Sequence, residues 1–534
     1  MSKHGQVGWL SARRCVAWCA AAVFGLLIGA PASALEITEY DAWVQAFVRN
    51  RTGVFLNGGR NCVAPGTPSD QWQGIPGCPP NKGQNNVVDR FEQSIWVEGK
   101  KRFSRSLSGT IKLRAFVDNV FDVQEGTSRW SGTREAITNL SNTWSLAYDD
   151  FLREAFLDYS LDELPKEYGT LFARVGKQQV VWGKADGFRL LDLINPQDFR
   201  EPFYAVFEDV RIPLWMVRLD YGLPRDVLQD ASMQVVFSPL YQSDTFPPAI
   251  VSPWSFRAFD TFQTFVNNTG IPGIPVIPVV ENLFDQPIDP AANFKNSEAG
   301  ARWSHWIGNF GYTLNYYYDW SNLPHAKGLT LYKGQLVYKN TPDRVNRLGA
   351  SFDYNLYEIP GIGWKNVVLR AELLGSIDEP FYGAVKPTGQ AFYQRNTFNY
   401  VLGIDRYVHG VPLISPGANT ETLLSAQLFQ TYIPDPQKNG LTNAGGAHLN
   451  DLKTAVTFFA QNNSLANRLT SEFLAYYSDA GEWWFRPRFS YDFSDRFRGE
   501  IGGNFFIGHT NDFVGGFARK GTQNVFIDLR YQFF

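Results

Sequence analysis

The closing residues, Asn524-Val-Phe-Ile-Asp-Leu-Arg-Tyr-Gln-Phe-Phe534, decide the fold. Every second one is apolar: Val525, Ile527, Leu529, Tyr531 and Phe533. Between them stand Asn524, Phe526, Asp528, Arg530 and Gln532, mostly polar. A strand turns successive side chains to opposite faces, so this segment has one greasy face and one wet face. In a soluble sheet, an edge strand of this kind would leave its greasy face at a chain end that nothing need cover. In a membrane barrel, the closing strand presents that face to lipid.

Composition agrees. Beyond residue 34 no apolar run approaches the about 20 residues of a membrane helix. Mean hydropathy is −0.24, yet 15% of residues are aromatic and 47 are glycine. A barrel has this balance, because each strand is only half apolar and aromatics gather at both interfaces. No linker or low-complexity tract divides residues 35–534, which read as a single outer-membrane barrel domain. Residues 1–34 read as a secretory signal: Arg13 and Arg14, the apolar Val16–Ile28 run, then Ala32-Ser33-Ala34 for cleavage. Without Lys3, Arg13 and Arg14, the 49 basic residues become 46 against 52 acidic, a balance of −6. That balance argues against a nucleic-acid partner.

Alternation recurs along the chain. Ile111, Leu113, Ala115 and Val117 interleave with Lys112, Arg114, Phe116 and Asp118. Charges at that density cannot all enter a dry core, but they can line a wet lumen. About eighteen such runs are predicted, with sixteen as the other count. They include Leu171–Trp182, Arg347–Tyr354, Val367–Leu374 and Asn399–Arg406. Long connections follow odd runs and short ones follow even runs, apart from the tight Ser478–Glu482 turn. The fold class is therefore an all-β, transmembrane antiparallel barrel with long extracellular loops and both termini on the periplasmic side. Further lumen charges are expected at Arg174, Arg218, Asp220, Arg302, Arg370, Glu372 and Asp405. For any single one of them, a cross-strand structural pair is the favoured reading.

Cys62 and Cys78 lie in a Gly-, Pro- and Asn-rich connection and read as a disulfide, since they lack metal or redox spacing. Closing that loop would remove roughly 3 kcal/mol of unfolded-chain entropy.

After the fifth run the composition shifts. Leu190, Leu191, Leu193 and Ile194 cluster among Asp186, Arg189, Asp192, Asn195, Asp198 and Arg200. An extracellular loop has little use for so many aliphatics. Folding back into the barrel buries them, with Asn195-Pro196 turning the excursion. Trp182, Arg189, Asp192, Asn195 and Asp198 are thus the expected constriction residues, and a loop packed at the rim is the other reading.

Arg174-Val-Gly-Lys-Gln-Gln-Val-Val-Trp-Gly183, Asp192-Leu-Ile-Asn-Pro-Gln-Asp198 and Arg153-Glu-Ala-Phe-Leu-Asp-Tyr159 resemble the family called domain of unknown function 1302. Trp43–Asn57, Arg347–Asp353, Leu369–Glu372 and Leu402–Arg406 are similar to its later blocks. The resemblance covers most of the chain and implies a Gram-negative outer-membrane barrel. It also implies a periplasmic or lipoprotein partner and an inner-membrane exporter of the resistance-nodulation-division type. It brings no established substrate and no catalytic residues. The Pro-rich stretch near Ile271–Val280 departs from the pattern.

The functional expectation is a channel or transporter for small hydrophobic or amphipathic compounds, in contact with outer-membrane lipids. A non-conducting barrel that docks a periplasmic partner is the alternative, and a lipid-modifying barrel enzyme a weaker one. His305, His325, His409, His448 and His509 sit in no catalytic or zinc signature, so no enzyme, cofactor or metal is expected.

Overall fold

A computed structural model describes residues 35–37, 41–56, 87–118, 144–145, 151–161, 168–185, 188–199, 203, 207–245, 294–322, 326–332, 335–340, 342–359, 361–383, 392–409, 421–442, 448–508, 513–520 and 522–533. Residues 1–34, read above as a secretory signal, lie outside them, as do Cys62 and Cys78 with their expected disulfide, the Pro-rich stretch, Asp186 and Arg200.

Eighteen strands form the barrel. The first six are β1 (Ala42–Phe55), β2 (Val87–Arg102), β3 (Leu107–Asp118), β4 (Leu152–Leu161), β5 (Thr170–Gln178) and β6 (Leu214–Gly222). Then come β7 (Ala231–Ser238), β8 (Glu298–Ile307), β9 (Phe310–Trp320), β10 (Arg344–Ile359), β11 (Trp364–Tyr382) and β12 (Phe392–His409). The last six are β13 (Glu421–Tyr432), β14 (Leu452–Ser464), β15 (Leu469–Ser478), β16 (Glu482–Asp492), β17 (Phe497–Ile507) and β18 (Asn524–Gln532). Each pairs antiparallel with its sequence neighbours, and β18 returns to β1 with Asn524 opposite Phe55 and Gln532 opposite Phe47. Closure leaves the sheet without a free edge. A three-residue strand, Leu35–Ile37, pairs with Ala42–Val44.

The two faces separate as alternation requires. On β18, Ile527 and Leu529 are exposed outward, and Phe526 and Asp528 are buried inward. Their neighbours continue both rows: Ile501 stands opposite Ile527, and Glu500 opposite Asp528. Aromatics mark the ends of the apolar band. Phe103, Tyr357, Trp364 and Phe493 lie by the short turns, and Tyr477, Trp483 and Tyr432 at the other end. This is the outer surface of a membrane barrel, greasy in the middle and aromatic at both interfaces.

Several strands outrun their apolar cores. The runs predicted over Arg347–Tyr354, Val367–Leu374 and Asn399–Arg406 are the centres of β10, β11 and β12. A strand needs about 9–11 residues to cross the bilayer. β11 has 19, because ladder hydrogen bonds continue beyond the lipid, whatever the side chains are. In the other direction, β5 stops at Gln178, short of the predicted Trp182. At Gly176 the backbone has φ +136, and an added Cβ would lie 2.2 Å from the Ala155 carbonyl oxygen. Val180 and Trp182 then leave the wall. Elements outside the predicted runs include helix α1 (Phe513–Lys520), in the last connection, and a separate hairpin, Ala326–Tyr332 with Gln335–Asn340.

Ile501→Arg places a charge in the middle of the outer face of β17. It is expected to destabilise the barrel by about 2–4 kcal/mol, read as a lower temperature for loss of the compact band in unboiled gels. A polar replacement on the inner face, such as Asn504→Ser, is expected to lower it less.

Candidate functional site: a loop folded across the lumen

Between β5 and β6 the chain turns inward and reaches the far wall. The consecutive inward residues Arg153 and Glu154 prepare its base. Lys112 faces Glu154 and Leu113 faces Leu152, so Arg153 is the extra residue of a β-bulge. A bulge sends neighbouring side chains to one side. Arg153 donates to the carbonyls of Asp209 at 3.2 Å and Arg211 at 2.8 Å, near the returning end of the loop. Glu154 accepts from Lys112 at 3.5 Å and from Gln179 at 3.4 Å.

Asn195 ties the loop together. Its side-chain oxygen accepts the Val180 N–H at 2.7 Å, and its amide nitrogen donates to the carbonyls of Gln178 at 3.3 Å and Ile212 at 3.0 Å. The outgoing limb, the middle and the returning limb thus meet at one residue that is 0% exposed. Gln178 donates to the Met216 carbonyl at 3.1 Å and holds this point to β6. Asp192 accepts from Arg211 at 2.7 Å, with Arg189 at 3.9 Å. At Gly183 a Cβ would lie 2.7 Å from the Asp192 nitrogen, so the limbs approach too closely for any other residue. Arg189 donates to the Asn195 carbonyl at 3.0 Å. The Asp198 N–H donates to the Val210 carbonyl at 2.8 Å, inside the same fold.

The apolar residues pack where they can be dry. Trp182, 1% exposed, joins Val180, Ile194, Leu214, Met216, Val236 and Tyr317, and its indole N–H donates to Gln234 at 2.6 Å. Phe188 stacks obliquely on Tyr476 at 4.9 Å and meets Phe429 and Trp484 edge-on. Phe203 lies 4.7 Å from Phe506 and 4.8 Å from Phe517 of α1. Helix α1 is fixed there by Glu482, whose carboxylate accepts the Val514 and Gly515 N–H groups at its start at 3.2 and 2.7 Å.

Two polar latches hold the loop to the wall. Glu372 on β11 accepts the backbone N–H groups of Lys184 and Leu191, the latter at 3.1 Å, while Lys184 pairs with Asp353. Arg370 donates to the Lys184 carbonyl at 2.8 Å and pairs with Asp405 at 2.7 Å. On the seam side, Asp209 accepts from Arg49 at 2.9 Å and Arg51 at 2.8 Å. Burial pushes the Asp209 carboxyl up, but Arg51 and Arg49 outweigh it and bring it down to about 2.

The remaining residues singled out in the sequence lie on the inner wall. Arg174 pairs with Asp158 at 2.6 Å and covers the Phe156 ring, and Arg218 pairs with Asp220 at 2.7 Å. Arg114 lies over Trp96 and Phe116, and Arg302 reaches the Val181 carbonyl at 3.4 Å. Asp118 ends β3, opposite Glu92, and its side chain is outside the described residues. Arg49, Arg51, Arg153, Asp209, Asp353, Phe188 and Phe203 were not singled out. The alternation of Arg49-Asn-Arg51 against Asp528 was the available signal for the first two.

The molecule is thus a closed transmembrane β-barrel whose β5–β6 connection folds into the lumen. Its chain belongs to the family described as protein of unknown function (DUF1302), whose sequence profile matches residues 16–534. No curated protein matches it. It resembles, at low identity, OmpF of Salmonella typhi in a complex with daunomycin: 10% identity, 93% of this chain, 100% of that one, TM-score 0.40. OccAB1 of Acinetobacter baumannii shows 10% identity, 94% and 98% coverage and a TM-score of 0.44. A BenF-like porin of Pseudomonas fluorescens Pf-5 shows 9% identity, 94% and 99% coverage and a TM-score of 0.43.

Asn195→Leu strands buried backbone groups at both limbs, each worth about 1–3 kcal/mol. Limited proteolysis is expected to cut inside residues 179–213 while the barrel stays intact. The Asp209 latch answers to pH in a defined sense. A carboxyl depressed in the folded state keeps its contribution above its unfolded value, near 4, and loses it as pH falls towards 2. Loop protection is therefore expected to be equal at pH 8 and pH 5, and to fall at both in Asp209→Asn.

Proposed function

We propose that this barrel is an outer-membrane channel for small hydrophobic or amphipathic compounds, and that the loop between β5 and β6 is its constriction. The observation that carries the reading is the loop's two-sided surroundings. Phe188 and Phe203 meet Tyr476, Trp484 and Phe506 on one part of the wall. Elsewhere the inner face carries ion pairs such as Arg174–Asp158, Arg218–Asp220 and Arg488–Glu500, the last at 2.7 Å. A solute with an apolar body and a polar or ionised end is oriented by such a division, because paired charges on a low-dielectric wall keep strong local fields. The proposal assigns passage to the protein and no catalytic step. It extends, through the family resemblance, to a periplasmic partner and an inner-membrane exporter, with the short turns as the contact surface.

Planar-bilayer recording tests it. Wild-type protein is expected to show small unitary conductance that an aromatic carboxylate reduces. Glu372→Ala, which removes the acceptor for Lys184 and Leu191, is expected to raise conductance several-fold. Absence of permeation by ions or by aromatic and aliphatic acids, in both proteins, overturns the channel reading. Co-purification with a periplasmic protein in that event would favour the docking alternative.

A further inference from the structure

Three rows of side chains cross the inner wall of β14, β15 and β16 beside the loop. Thr457, Tyr476 and Trp484 stand opposite one another in the first, where Phe188 packs on Tyr476 at 4.9 Å. Gln461, Glu472 and Arg488 form the third, nearer the periplasm. There Arg488 holds Glu472 at 3.4 Å and Glu500 of β17 at 2.7 Å, so its charge is met twice. The middle row differs. Phe459 and Leu474, both packed with the aromatic cluster of Trp484 and Phe203, lead across it to Arg486. The Nε and Nη2 of Arg486 are shut off from solvent and have no hydrogen-bond partner. The residue as a whole is half-buried, so the lumen still reaches its side chain. The wall also loosens beside it. Pro487 has no N–H, and the β16–β17 pairing passes from Phe485–Phe505 to Arg488–Gly502 without Arg486 or Pro487. A guanidinium left without a contact partner in such surroundings is costly, and an apolar side chain would avoid that cost.

We propose that Arg486 is the carboxylate-binding group of the lumen, and that the solute is a monocarboxylic acid lying along the middle row. The inference rests on the channel reading above and names its substrate class. From Phe459 to Arg486 is two strand spacings, about 10 Å, the reach of a medium-chain fatty acid or an arylalkanoic acid. The apolar body lies over Leu474 and Phe459, beside Phe188, and the acid group meets Arg486. Guanidinium and carboxylate match through two parallel hydrogen bonds, a geometry that an ammonium does not offer. Arg488 does not compete, because Glu472 and Glu500 already hold it. A dicarboxylate would bring its second charge against Leu474 and Phe459, so a single acid group is selected.

Bilayer block and thermal unfolding of the full-length barrel read the site separately, with octanoate and octanamide as probes. Octanoate is expected to block wild type at about a tenfold lower concentration than octanamide, and to raise the unfolding temperature. In Arg486→Gln the half-blocking concentration of octanoate is expected to rise about tenfold, to that of octanamide, and the thermal shift to vanish. Arg486→Lys restores part of both. Without ligand, Arg486→Gln is expected to unfold no earlier than wild type, since no contact is lost. Earlier unfolding, or failure to fold, marks a structural cation and overturns the proposal. Equal octanoate block in wild type and Arg486→Gln overturns the site and leaves the channel reading standing. If neither protein conducts, yet octanoate stabilises wild type and not Arg486→Gln, the channel reading fails and the binding site stands. Wild type that is neither blocked nor stabilised by octanoate also overturns the proposal.

Discussion

The inward course of the chain after β5 depends on the Asn195 carboxamide. One side chain accepts from Val180 and donates to Gln178 and Ile212. It thereby closes a long excursion into a compact fold before that fold touches the opposite wall. Backbone groups buried inside a barrel have no water to turn to, and leaving them unpaired is costly. An amide satisfies both a donor and an acceptor type at once; Asp or Leu at this position would not. The family-like blocks make sense in this light. Gly176, Gln178, Trp182, Gly183, Asp192 and Asn195 build the root of the loop, and none of them is needed merely to close a barrel.

Around that root, the wall and loop divide labour by polarity. Charged groups hold the loop at Glu372 and at Asp209, and aromatic groups fill the space beyond it. Helix α1 contributes to the same aromatic region through Val514 and Phe517, which are almost wholly buried. The barrel interior is therefore furnished from two separate connections. Its outer surface remains a regular alternation, with residues such as Ile501, Ile527 and Leu529 exposed.

Much of the barrel is legible in the sequence because period two is a local property. Lipid outside and polar groups inside imprint it on every strand, so the number of strands and the order of long and short connections can be read directly. Ends of strands are less legible. Val180, Val181 and Trp182 look like strand residues, and only the glycine backbone at 176 and the distant Asn195 take them off the wall. The inward loop is visible as misplaced aliphatics, Leu190 to Ile194, but its latches are not. Glu372 lies 181 residues from Leu191, and nothing local to either marks the pairing. Helix α1 is hidden for the same reason. Phe513-Val-Gly-Gly-Phe is a poor helix former, and the carboxylate that steadies its start belongs to β16.

Arg49 links two events that could otherwise be separate. Its guanidinium holds Asp528 of the final strand at 2.6 Å and Asp209 of the loop at 2.9 Å. A nascent chain cannot complete this three-way junction until its last residues arrive, so zipping the cylinder shut and seating its interior become one cooperative act. An intermediate with an unjoined seam would hold an unseated partition, and quality control that senses the one would also sense the other.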